Sequence, residues 1–60
     1  MTAKQAERIV TKDGWYYIGA EGSHHHYLHP TKKGKVTISF HHGDIPKKSL
    51  QSIMRQAGLK

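Results

Sequence analysis

No cysteine occurs among the 60 residues. That absence removes disulfide staples and thiolate metal ligands together, and it excludes a secreted disulfide framework or a zinc ribbon. Large apolar residues are also scarce: Ile, Leu, Val and Phe fill 11 positions. Mean hydropathy is −0.74, and no apolar run is long enough for a membrane span or a signal peptide. A cytoplasmic protein with no membrane attachment is expected. Length sets a further bound, since 60 residues make one domain at most and leave no room for a Rossmann unit. A core of this size supplies roughly 3 to 5 kcal/mol of net stability. Acidic residues are few as well, being limited to Glu7, Asp13, Glu21 and Asp44.

Against those four carboxylates stand ten Lys and Arg, for a net charge of +6 before any of the six His is protonated. Such a field attracts polyanions, and the abundant ones in cytosol are nucleic acids. The low apolar content raises disorder as a rival class, so the patterning has to decide between them.

Thr2 and Gln5 have the spacing of a capping box, and Ala3, Ala6, Ile9 and Val10 recur at helical spacing until Gly14 ends the run. A first helix is expected over residues 3–13. Trp15-Tyr16-Tyr17-Ile18 is aromatic and β-branched and reads as a strand that runs to Gly19 and a turn at Glu21-Gly22-Ser23. His24–His29 forms the second strand, and Pro30 to Gly34 a hairpin loop. Lys35–Phe40 alternates without fault, with Val36, Ile38 and Phe40 on one face and Lys35, Thr37 and Ser39 on the other. After Ile45-Pro46, the positions Leu50, Ile53, Met54 and Ala57 mark a second helix over about 47–57, stopped by Gly58. Disorder loses to this pattern. The order α-β-β-β-α predicts an α+β domain spanning residues 1–60, in which two helices cover one face of a three-stranded antiparallel sheet. The other face is left free for a ligand.

Four of the six His lie in one stretch, His24, His25, His26 and His29. On a strand His24 and His26 point one way and His25 and His29 the other. At most two converge without His41 or His42, fewer than the three or four that a metal site needs. No metal or cofactor is expected. The remaining readings are surface polar residues, with His25 and Tyr27 half-buried on the core side, or one imidazole acting in proton transfer beside phosphate-binding cations. Lys32, Lys33 and Lys35 around the hairpin loop, and Lys47 and Lys48 opening the second helix, are the candidate contacts to nucleic-acid phosphates. The second group is the more telling, because cations at a helix N-terminus oppose the macrodipole and cost about 0.3 to 1 kcal/mol each. Trp15 is assigned to the core, while Tyr16 and Tyr17 are possible base-stacking residues.

Gly14-Trp15, Gly22-Ser23-His24-His25-His26-Tyr27, His29-Pro30, Lys35-Val36-Thr37-Ile38, Asp44-Ile45-Pro46 and Arg55-Gln56-Ala57-Gly58-Leu59 together resemble the HicA family of toxins, in order and over nearly the whole chain. The resemblance implies a fold like the double-stranded-RNA-binding domain and metal-independent cleavage of mRNA. It also implies neutralisation by a HicB-type antitoxin covering the active face, and it makes the His of Gly-Ser-His, here His24, catalytic. Gly19-Ala20-Glu21 departs from the pattern, since many members carry an Arg shortly before Gly-Ser-His. With Tyr27 and His25 toward the core, His24 and His26 face the uncovered side, where RNA brings its own 2′-hydroxyl nucleophile and needs a proton-transfer group and cationic charge. For the second proton-transfer group, His26, Tyr17 and water are the options. The alternatives to a nuclease are a noncatalytic RNA-binding module of the same fold and a His-rich metal carrier.

Overall fold

The computed structural model describes residues 1–59 and shows five elements: α1 (Ala3–Lys12), β1 (Tyr16–Glu21), β2 (His24–Leu28), β3 (Val36–Ser39) and α2 (Lys47–Gln56). The strands form one antiparallel sheet in the order β1-β2-β3. This is the expected α-β-β-β-α arrangement, and the differences lie at element boundaries, each with a local cause.

The capping box forms as read. The Gln5 amide donates to Thr2 Oγ1 at 3.2 Å, and the Thr2 amide donates to Gln5 Oε1 at 2.8 Å. Both helices end in the same way. Gly14 N–H donates to the Thr11 carbonyl and Trp15 N–H to the Val10 carbonyl. Gly58 and Leu59 repeat that pair of bonds on Arg55 and Met54. Each is a Schellman closure, which places a glycine at positive φ and then an apolar residue that folds back on the helix. Trp15 is therefore a helix-end residue buried in the core, and β1 starts one residue later than expected. β1 also runs on to Glu21, past a bulge at Ile18 between Tyr17 and Gly19.

Gly22 at φ +61 with Ser23 at ordinary φ makes the two-residue β1–β2 turn of type II′, whose twist suits a hairpin. β2 stops at Leu28 because the ring of the next residue leaves the ladder. His29 Nδ1 accepts from the amides of Thr31 and Lys32, both at 3.1 Å. With Nδ1 accepting, Nε2 carries the proton and donates to the Asp13 carbonyl at 2.9 Å.

Nine residues form the buried core: Ala3, Ala6 and Val10 from α1, Trp15, Tyr27, Val36, Ile38, Ile53 from α2, and Ala57 at the C-cap of α2. Phe40, Ile45, Leu50, Met54 and Leu59 pack against it. Ile9, expected on the buried face of α1, stays 37% exposed. The helices touch β3 and each other, so β1 is the less covered edge, with Tyr16, Tyr17 and Ile18 each about half exposed. Truncating a residue such as Ile38 in a core this small costs about 2 to 5 kcal/mol, a large share of the stability available.

The candidate nucleic-acid interface and catalytic site

Strand register fixes which histidines share a face. Glu21, His24 and Ser39 are cross-strand partners in one row, and Gly19, His26 and Thr37 in the next. Both rows point away from the helices. The alternate rows, Ala20-His25-Ile38 and Tyr17-Tyr27-Val36, face the core side, where His25 stacks on Phe40 at 4.0 Å between ring centroids. Tyr27 is fully buried, and its hydroxyl donates to Glu7 at 2.6 Å. Burial, reinforced by the Glu7 carboxylate that accepts this bond, pushes the phenol above its ordinary range. The uncovered face therefore carries His24 and His26, as the alternation around Tyr27 implied.

The two outward imidazoles differ in freedom. His26 is mostly covered; its Nδ1 shares a 3.0 Å hydrogen bond with the Thr37 hydroxyl, and its Nε2 lies 3.5 Å from Glu21 Oε1. His24 is exposed and opens β2 directly after the glycine turn. The ring of His41 stands edge-on to it, 6.5 Å away between centroids. His41 also lines a groove of about 410 Å³ between β3 and α2, together with Thr37, Ser39, Asp44, Ser49 and Ser52. Among the described residues, no three His, Asp or Glu side chains are grouped so that they could hold a metal ion.

Two comparisons bear on this arrangement. Residues 3–59 match the family of the HicA toxin of bacterial toxin-antitoxin systems. The chain belongs to the HicA toxin family. In structure it is similar to a chain of a toxin-antitoxin complex from Streptococcus pneumoniae, with a TM-score of 0.82, 33% identity and 98% of each chain covered. No match was found among curated proteins. The protein is thus a toxin of a toxin-antitoxin system, and none of its described helices is long and apolar enough to cross a membrane.

For this HicA-family toxin the candidate cations separate into two groups. The His24 end of the sheet also carries the β1–β2 turn and the segment that leads into α2, so exposed Lys47 and Lys48 belong to that end. Lys33 and Lys35, also exposed, flank β3 at the opposite end, about 13 Å or more away along a five-residue strand. Lys32 stands apart from its neighbours in that group. Its ammonium donates to Asp13 at 2.5 Å and to the Ala57 carbonyl at 3.0 Å, so it ties the hairpin loop to the C-terminal ends of both helices. The hydrogen bond from Lys32 holds the Asp13 carboxyl below its ordinary range, with the charge of Lys32 acting in the same sense and burial opposing them.

His29 belongs to the same tether, packed edge-on against Trp15 at 5.2 Å. His41 is the residue that the sequence reading passed over as surface. The signal was present, because carrying the β3 alternation one step past Phe40 puts His41 on the face of Ser39 and His24.

Proposed function

We propose that this toxin is an mRNA endoribonuclease in which His24 exchanges the proton of the reaction on the uncovered sheet face. The observation that carries the proposal is the position of His24: an exposed imidazole at the mouth of a glycine turn, on the one broad face that no helix covers, at the end of the sheet where Lys47 and Lys48 open α2. RNA supplies the nucleophile, its 2′-hydroxyl. The imidazole takes or returns a proton, an effect typically worth about 10² to 10⁴ in rate, and lysine charge stabilises the pentavalent phosphate. The first turn of α2 supports this, since it holds no acidic residue and Pro46 provides no side-chain cap. Its amides are left to a phosphate. A net charge of +6 gives the attraction. Lys33 and Lys35 meet a strand long enough to run the length of the sheet.

The antitoxin partner is a HicB-type protein that lies over the His24 face. Tyr16, half exposed opposite Leu28 on that same face, offers it an apolar anchor beside the histidines. The mechanism as proposed uses no metal.

The test is incubation of the purified protein with RNA and with DNA of matching sequence, both in EDTA. RNA fragments with 2′,3′-cyclic phosphate ends and intact DNA are expected. Activity that vanishes in chelator and returns with one divalent ion contradicts the mechanism.

A further inference from the structure

Breaking an RNA strand by its own 2′-hydroxyl moves two protons. One leaves the 2′-oxygen as it attacks phosphorus, and another must reach the 5′-oxygen as the P–O5′ bond breaks. A single imidazole can be neutral for the first transfer or protonated for the second, and doing both in one step is beyond it. Three side chains come into question for the other transfer. Tyr17 is on the helix side of the sheet, in the row of Tyr27 and Val36. His26 has Thr37 on one ring nitrogen and Glu21 near the other. His41 remains: exposed, on the same face as His24, and 6.5 Å from it.

The position of His41 is held by its neighbour. Phe40 donates its amide to the Ser23 carbonyl at 2.7 Å, extending the β2–β3 pairing one step beyond the strand, and its ring stacks on His25 from the core side. The next residue is thereby directed to the opposite, outward face, diagonal to His24. Two imidazoles whose ring centroids are 6.5 Å apart can both reach one phosphate that lies against the outward side of the pair, each through a hydrogen bond of about 2.8 Å. His41 also lines the groove that continues between β3 and α2 past Ser39, Ser49 and Ser52, a hydroxyl-lined course for the strand that leads from this phosphate.

We infer that His41 is the second proton-transfer residue, paired with His24 at the scissile phosphate; this rests on the nuclease function proposed above. One imidazole accepts the 2′-hydroxyl proton while the 2′-oxygen bonds to phosphorus. The other, as imidazolium, donates to the 5′-oxygen as the P–O5′ bond breaks. The products are a 2′,3′-cyclic phosphate and a 5′-hydroxyl, and the pair ends with its protonation exchanged. The other titratable groups at this end of the sheet are His26 and Glu21, which contact each other, Asp44, which shares the groove with His41 and is 3.6 Å from the Met1 ammonium, and the exposed Lys47 and Lys48 that open α2.

The experiment is the pH–rate profile of RNA cleavage in EDTA for the wild type, His41→Gln and His42→Gln, with thermal melts to confirm that all three fold. The wild type is expected to give a bell, one limb for the base and one for the acid. His41→Gln is expected to lose one limb and to fall about 10² to 10⁴-fold at the optimum; the limb that disappears tells which proton His41 carries. His42→Gln, exposed and outside the pair, is expected to keep both limbs. A folded His41→Gln that retains both limbs, at full or reduced rate, overturns the pairing while leaving the nuclease function standing. A wild type that leaves RNA uncut overturns that function and the pairing with it.

Discussion

At the scale of single residues, the division of labour among like side chains follows from their partners. Lys32 and Lys33 are neighbours in one loop, yet Lys32 bonds Asp13 and the Ala57 carbonyl while Lys33 is exposed. Lys32→Ala is expected to lower the melting temperature by several degrees and Lys33→Ala to change it little, because only the first strands a carboxylate and a helix-end carbonyl. Asp13 adds a pH dependence. Its folded-state pKa lies below the unfolded one, so its contribution is present above about pH 4 and is lost as the pH falls through the depressed folded value. A melt series from pH 6 to pH 2 should show a steep acid decline that Asp13→Asn flattens; an unchanged decline would remove Asp13 from the account. None of this was legible in the sequence. Lys32 and Asp13 sit 19 positions apart, and only the folded chain brings two helix ends to one hairpin loop. His29 was hidden for the same reason, its ring serving amides on one side and the α1 terminus on the other.

Elements were more legible than contacts, because their causes are local. The Thr2/Gln5 box, the alternation of Val36 and Ile38, and the apolar spacing through Ile53 and Ala57 each placed an element within a residue or two. The misses came where a neighbouring motif competes with periodicity: a Schellman closure claimed Trp15, and a bulge let β1 pass Ile18 and continue to Glu21. Gly14 shows how strict such a closure is. It sits at φ +112, and a Cβ there would come within 2.7 Å of His29 Nε2. Gly14→Ala therefore meets both backbone strain, about 1 to 2 kcal/mol, and a collision that displaces the His29–Asp13 bond. Chemical denaturation should show a loss at the upper end of that range or beyond; a loss well under 1 kcal/mol would mean that the helix end can rearrange. Strand phase makes its own prediction. His25, stacked on Phe40, should cost stability when truncated to Ala, whereas exposed His24 should not, and equal melting temperatures for the two variants would contradict the assigned faces.

On the scale of the whole molecule, the two ends of the sheet carry different tasks. At one, Asp13, His29, Lys32 and Ala57 lock the helix ends to the β2–β3 loop. At the other, His24, His41, Lys47 and Lys48 are exposed and the Thr2–Asp44 bridge ties α1 to the segment before α2. RNA affinity should therefore depend on charge at the second end. With the His24→Ala protein, log K should fall linearly with log salt, and Lys47→Gln with Lys48→Gln should reduce the slope. A slope unmoved by that pair would place the RNA elsewhere on the surface. Binding and chemistry separate at His24, whose replacement should leave the cationic end intact. The most direct measurement is RNA cleavage by wild type and His24→Ala at equal concentration in EDTA, with melts run alongside. The account predicts matching melting temperatures and a loss of about 10² to 10⁴ in cleavage rate. A folded His24→Ala protein that cuts RNA at the wild-type rate would contradict it.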